Sequence, residues 1–378
     1  MNGFPPHLLN RPASERLAYF RSYTVAHPRL QEVDATLHRV IAEPVGSSLI
    51  FVYGPTGVGK TTLRLRVEQR LREEFLAAAE PDEGGLPVIS VEAIAPDYGS
   101  FSWRDYYTRA LLALVDPMVE RKINEGARVT YRHSLGHYVG QTVNNELRHR
   151  MEQALRYRRP RAMLIDEAQH FTKMASGKKL IDQLDCLKSL ASQTGCVHVL
   201  IGTYELLPCR NLSAQLSRRS LDIHFPRYRA DHPADVTAFQ RVVFSFQRHL
   251  PLEQEPELWS DWEYLYTHSI GCIGVLKDWF VRAFNEALSE RAPTLTRKHL
   301  ERHAWSLDQC EKMMQEALEG ERELAEKPEA RMRLHRMLGL SEPKTNHQSE
   351  PLKENSLPST AKGARVGRRN PVRDKIGQ

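Results

Sequence analysis

The segment Gly54-Pro55-Thr56-Gly57-Val58-Gly59-Lys60-Thr61 constrains this chain more than any other, because it fills every fixed position of the pattern G-x-x-x-x-G-K-[ST]. Ser48-Leu49-Ile50-Phe51-Val52-Tyr53 precedes it, a short apolar run suited to a buried strand. Thr62-Leu63-Arg64-Leu65-Arg66-Val67-Glu68-Gln69-Arg70-Leu71 follows, apolar at helical spacing. A strand, a glycine loop and a helix start in that order predict a nest of backbone N–H groups at the positive end of a helix. Such a nest stabilises polyphosphate. Residues Gly54 through Thr62 are therefore candidate nucleotide contacts. Lys60 can reach the β- and γ-phosphates, and the Thr61 hydroxyl can ligate Mg²⁺.

The 378 residues, 41% hydrophobic, suffice for a sizeable core and suggest more than one domain. No apolar run approaches the ~18 residues of a membrane span. The N-terminus, with Pro5, Pro6, Arg11 and Arg16, lacks the apolar core of a secretory signal. Five cysteines without a C-x-x-C pair read as reduced thiols of a cytoplasmic protein. The histidines show no metal-ligand spacing, so Mg²⁺ is the one metal expected. The net charge of +6 is uneven: residues 341–378 hold eight Lys/Arg against four Asp/Glu. That Pro-, Ser-, Asn- and Gly-rich segment is expected to be disordered in isolation. Its basic stretch from Lys362 to Lys375 either touches nucleic acid or an acidic partner, or is simply solvated.

Five strand candidates, Ser48–Tyr53, Pro87–Ala93, Ala162–Ile165, Val197–Gly202 and Leu221–Phe225, are separated mainly by helical patterns. Alternation of this kind predicts an α/β fold with a five-stranded parallel sheet flanked by helices. Residues 14–44 read as a helical lead-in, interrupted at His27-Pro28 and packed beside the glycine loop. Helices are expected around Trp103–Val115 and Leu135–Tyr157. Beyond Pro226 the patterns are all helical, at Asp235–His249, Glu257–Ser269, Val275–Ser289 and Thr296–Leu318. The resulting division is a lead-in (1–45), a nucleotide-binding α/β domain (46–228), a helical domain (229–335) and a basic tail (336–378).

Ala162-Met163-Leu164-Ile165-Asp166-Glu167 is an apolar strand ending in two acids. Asp166 can hold Mg²⁺, usually through water, and Glu167 can polarise the water that attacks the γ-phosphate. The next strand delivers Thr203 to the same sheet edge, where strand ends converge on a ligand. Thr203 can bond the γ-phosphate or the attacking water, or merely terminate the strand. His198 reads as a core or interface residue. Arg218 and Arg219 precede the last strand and can reach a neighbouring subunit's γ-phosphate, or lie idle on a surface turn. Lys277, one turn inside the helix begun by Gly271-Cys272-Ile273-Gly274, either bends the helical domain onto the nucleotide or faces solvent.

Together these features resemble an AAA+ ATPase with a C-terminal helical lid. More narrowly, the chain is similar to the transposition ATPases TniB and TnsC. The similarity lies in Arg16-Leu17-Ala18-Tyr19-Phe20-Arg21 through His27-Pro28-Arg29, and in Phe51 through Leu63. It continues in Leu164-Ile165-Asp166-Glu167-Ala168-Gln169-His170 and Ile201-Gly202-Thr203. It covers about residues 14–290. The resemblance implies phosphate, magnesium, base and first-sensor roles for Lys60, Thr61, Asp166, Glu167 and Thr203. Arg218 or Arg219 matches the finger position, and Lys277 stands where many AAA+ lids carry an arginine. It further implies ATP and Mg²⁺ as cofactors and a homo-oligomer, ring or helical filament, on double-stranded DNA. Such an assembly links a target-selection protein (TniQ/TnsD-like) to a transposase, without a membrane, and hydrolysis resets it.

Candidate DNA-contacting cations are Arg121, Lys122, Arg128 and Arg132 in the long insertion, and Lys173, Lys178 and Lys179 after the Asp-Glu strand. A polymer along DNA needs few phosphate contacts per protomer, because the copies sum them. Trp103 and Tyr98 beside the first cluster read as packing residues. Two other classes share the site. A signalling switch NTPase would carry a repeat array after the lid, and a replication initiator or helicase loader would carry a winged helix there. The segment after Arg291 offers little room for either.

Overall fold

The computed structural model describes residues 3–78, 84–95, 101–115, 138–172, 178–210 and 218–340, with side chains of 138–143 and 178–179 excepted. The chain divides into two compact units, Met1–Ala325 and Glu326–Gln378. The first holds a sheet of five parallel strands: β1 (Leu49–Tyr53), β2 (Val88–Glu92), β3 (Ala162–Asp166), β4 (Val197–Gly202) and β5 (Ser220–His224). Their order is β2-β3-β4-β1-β5, which sets β1 centrally between β4 and β5. The parallel α/β sheet expected from the sequence is thus present, with small shifts at the strand ends. β3 runs one residue further than its apolar run, because Asp166 still pairs with Glu92. β5 stops at His224, although the Phe225 N–H still reaches the Tyr53 carbonyl at 2.8 Å.

Every residue of β1, β3 and β4 is buried, as expected for strands covered on both faces. Side chains alternate across the sheet. Leu49, Phe51 and Tyr53 join one core with α4 (Trp103–Ala113), α5 (Tyr138–Arg158) and α6 (Lys178–Thr194). Ile50 and Val52 face the opposite way, into a core with α2 (Pro28–Ala42) and α3 (Lys60–Leu76). Trp103 packs against Phe101, Tyr106 and Phe171 in the first core, as a packing residue should; Tyr98 lies outside the described residues. His198 is fully buried, and burial pushes its pKa down to about 4, so it is a neutral core histidine.

The helical region contains α7 (Pro233–Arg248), α8 (Trp262–Ser269), α9 (Ile273–Ser289), α10 (Arg297–His303) and α11 (Leu307–Leu324). Its core gathers Phe239, Phe246, Trp279, Phe280 and Phe284. The single helix expected over Thr296–Leu318 is two. Ser306 opens a fresh N-terminus, its Oγ accepting the Gln309 N–H at 3.2 Å while Gln309 Oε1 accepts the Ser306 N–H at 3.0 Å. The helix expected over Glu257–Ser269 begins only at Trp262, after a short 3-10 turn.

The lead-in is shared between the two cores. α1 (Ala13–Ser22) buries Phe20 in the lid, edge-on to Phe246 and Phe284. α2 lays Leu30, Val33, Leu37 and Ile41 against the sheet. Between them, Pro28 starts α2 without wasting a backbone donor, and His27 Nδ1 meets the Tyr228 hydroxyl at 2.9 Å. At the other end, α11 returns from the lid to the α/β core. Gly320 lies against the Tyr204 ring, and Leu324 packs on the sheet core. Arg227, almost fully buried where β5 leads into the lid, approaches Glu321 of α11 within 2.9 Å and donates from Nη2 to Oε2 at 3.2 Å. In the second unit, α12 (Pro328–Met337) buries none of its residues. Residues 341–378, the core of the expected basic tail, lie outside the described residues.

Candidate nucleotide site

The register of the sheet brings Tyr53, Gly202 and His224 level at one edge, with Asp166 at the end of neighbouring β3. The loop from Gly54 to Gly59 leaves β1 at this edge and turns into α3. Gly57 and Gly59 have φ of 73° and 115°, a region that penalises any residue with a Cβ. The first N–H groups of α3 lack intrahelical acceptors and lie at its positive end. Thr56 to Thr62 line one cavity of about 570 Å³, together with Glu167, Thr203 and Lys277. Gly54 and Pro55 supply the carbonyls that hold the Lys60 amine, at 3.1 and 2.9 Å. Burial lowers the Lys60 pKa, and the nearby charges of Glu167 and Asp166 work against that fall. Bound phosphate oxygens would do the same, and would replace the two carbonyls as acceptors.

The acids take separate positions. Asp166 is buried behind the loop, its Oδ2 accepting from Arg64 Nε at 3.0 Å and its Oδ1 from the Glu167 N–H at 3.0 Å. Glu167 turns outward into the cavity, with its backbone left-handed at φ 52° and ψ 32°. For a residue with a side chain this costs about 1 kcal/mol or more. Gln169, buried in the following 3-10 turn, donates its amide N–H to Glu167 Oε2. Thr203 faces the same cavity while its Oγ1 caps the Glu205 N–H at 3.4 Å, so it also ends the strand. Arg64 had no motif to announce it, and Gln169 stood in the Leu164–His170 segment with no role attached. Arg64 is one helical turn beyond Lys60, which is the only hint that it shares the site.

The lid meets the phosphate loop directly. The Gly57 carbonyl accepts the N–H of Gly274 at 2.7 Å and of Val275 at 3.3 Å, so the first turn of α9 finds its acceptor in the loop. The approach is close: a Cβ on Gly274 would lie 2.5 Å from that carbonyl oxygen. One turn on, Lys277 lines the same cavity as the phosphate loop. Its amine donates to the Phe20 carbonyl and sits 3.5 Å from the Phe20 ring centroid. Burial pulls its pKa down to about 7, against the opposing charge of Asp278. The same cavity is also lined by Ile273, Phe246, Tyr23, Thr24 and Val25.

Arg218 and Arg219 are exposed at the opposite edge of the sheet, just before β5. The Arg219 carbonyl accepts the Ser48 N–H at 2.9 Å, and its side chain donates to Ser192 at 3.2 Å. A five-residue strand separates them from the phosphate loop of the same chain, about 16 Å at 3.3 Å per residue. Of the expected DNA contacts, Arg121, Lys122, Arg128, Arg132 and Lys173 lie outside the described residues. Lys178 and Lys179 begin α6, but their side chains are likewise undescribed.

Residues 45–209 match the family model described as AAA domain. No curated protein matches. Similar solved structures include the Walker-type ATPase of Pyrococcus abyssi, with 16% identity, 81% of this chain and 76% of that one covered, and a TM-score of 0.44. The Drosophila ORC bound to DNA has 15% identity, coverage of 89% and 86%, and a TM-score of 0.46. Cdc6p from Pyrobaculum aerophilum has 14% identity, coverage of 75% and 70%, and a TM-score of 0.49. The matched domain, the parallel sheet and the glycine loop establish a P-loop AAA+ fold. Among the described residues, no helix is long and apolar enough to cross a membrane.

Two outcomes test this geometry. Gly274→Ala should push α9 off the loop, lower the melting temperature and weaken ATP binding tenfold or more, about 1.4 kcal/mol; unchanged affinity in a calorimetric titration contradicts it. Lys277 has a folded pKa of about 7, below its ordinary 10.5. The unfolded chain therefore binds the extra proton between those values, and stability rises with pH across that window. The stability of the parental protein relative to Lys277→Met should grow from about pH 7 to pH 10 in urea titrations. A flat difference contradicts the burial of this amine.

Proposed function

We propose that this P-loop AAA+ protein is an ATP hydrolase that assembles on double-stranded DNA as a regulator of transposition. Neighbouring subunits complete each other's sites. The observation that carries the reading is the placement of Arg218 and Arg219, some 16 Å by strand length from their own phosphate loop. Groups so placed cannot serve the nucleotide they fold with, but they can serve a neighbour's. An arginine supplied in this way is worth ~10³–10⁵ in rate. The narrower assignment rests on the resemblance of residues 14–290 to TniB and TnsC, whose partners would be a transposase and a TniQ/TnsD-like target selector.

In this reading the loop N–H groups and Lys60 hold the β- and γ-phosphates, and Thr203 contacts the γ-phosphate or the water in line with it. Glu167 takes the proton of that water as its oxygen attacks phosphorus and the bond to the leaving ADP breaks. The oxygen donors of Thr61 and Asp166 fit Mg²⁺, since each Asp166 oxygen has one partner and keeps a lone pair for a metal-bound water. That ion would neutralise phosphate charge. Lys277 belongs to the mouth of the site through its anchor on Phe20, which ties the lid to α1 rather than to the γ-phosphate.

Both a transposition regulator and a replication-initiator relative would use this site. Among the described residues after Arg291 all regular elements are helices, which leaves the strands of a winged helix unrepresented there. Imaging of the protein on duplex DNA with ATP, a slowly hydrolysed analogue and ADP separates the readings. Rings or continuous filaments that require ATP or its analogue are expected, and Glu167→Gln should retain them after ATP is added. A monomer without DNA affinity at low salt contradicts the reading, as does parental ATP turnover by Glu167→Gln.

A further inference from the structure

From the tips of β3 and β4 we infer that Gln169 is a positioning residue that ties the aim of Glu167 to the position of Thr203. The inference rests on the hydrolytic reading of the site and gives a role to a group that the Leu164–His170 segment contains without assigning it one. One amide reads both strand ends. Its Nε2 donates to Glu167 Oε2, and its Oε1 accepts the Thr203 N–H at 3.3 Å. The orientation is fixed by chemistry: a backbone N–H only donates, so Oε1 must face Thr203 and the amide fits one way round.

The surroundings leave this side chain little freedom. Gln169 is 5% exposed, and a Cβ on Gly202 would come within 2.5 Å of its Oε1, so the glycine at the end of β4 makes room for the amide. Its backbone is clamped by the core. The Gln169 carbonyl accepts the Thr172 N–H at 3.0 Å and the Thr172 hydroxyl at 2.7 Å, and Phe171 is buried against Phe101 and Tyr106. Glu167 itself is held in a left-handed backbone conformation, its N–H donating to Asp166 Oδ1 and its carbonyl accepting the His170 N–H, both at 3.0 Å. With the backbone so fixed, the Gln169 amide is the group bonded to its carboxylate. Displacement of Thr203 by a γ-phosphate is transmitted through a single stiff amide to the carboxylate that activates water. The base then responds to whether the third phosphate is present.

The test compares Gln169→Met, which keeps volume and removes both hydrogen bonds, with Glu167→Gln and the double variant. ATP binding and melting temperature should stay at parental values for Gln169→Met. Its kcat should fall about ten- to a hundredfold, part of the ~10²–10⁴ a general base contributes, with little change in KM. If Gln169 acts through Glu167, the double variant should be no slower than Glu167→Gln alone. Parental kcat in Gln169→Met, losses that multiply in the double variant, or loss of ATP affinity would each overturn the inference. A parental protein that binds ATP but never turns it over instead removes the hydrolytic reading, and the inference with it. The two failures are thereby distinguishable.

Discussion

The Gly57 carbonyl, accepting the N–H groups of Gly274 and Val275, is the contact on which the arrangement of the molecule depends. It satisfies donors that every helix start leaves open, and it does so with an atom of the phosphate loop. Nucleotide and lid therefore share one piece of backbone. Because the approach tolerates no side chain at Gly274, the distance between loop and lid is set by backbone sterics and not by adaptable side chains. Two further ties keep the domains in register. Phe20 of α1 inserts into the lid core, and Glu321 of α11 meets the buried Arg227. Such a buried pair is costly to break on one side only.

The phosphate loop, the strand ending in Asp166 and Glu167, and the parallel sheet were legible because each is local. A glycine pattern, an apolar run and a period of alternation all lie within a dozen residues. What escaped was set by contacts distant in sequence. α1 read as a companion of the phosphate loop, and Arg21 does line the loop's cavity, but nothing in the sequence shows that Phe20 finds its partners at Phe246 and Phe284, more than two hundred residues away. Lys277 read as a group for the nucleotide or for solvent, but the Phe20 ring and carbonyl capture its amine. The break between α10 and α11 was legible in principle, since Ser306 and Gln309 spell a capping box; the surrounding helical periodicity hid it. Arg64 carries no motif and Gln169 stands in one without a role, and only the fold shows that they touch the two acids.

The chemistry is concentrated at one sheet edge and the exposed arginines at the other. This polarity is a direct result of parallel strands, which send every carboxyl end the same way. A site built at one edge and completed from the opposite edge is satisfied only by a second copy, so oligomerisation and turnover are coupled by geometry in the proposed reading. The buried Asp166, paired to Arg64, adds a charge balance in the absence of nucleotide. It orients the acid behind the loop.

The central claim is that the Gly54–Thr61 loop binds nucleoside triphosphate through Lys60, and calorimetric titration of the protein with MgATP tests it most directly. The account predicts saturable binding of one nucleotide per subunit, lost in Lys60→Ala while that variant keeps the parental melting temperature. No binding by the parental protein, or equal affinity in Lys60→Ala, would contradict it.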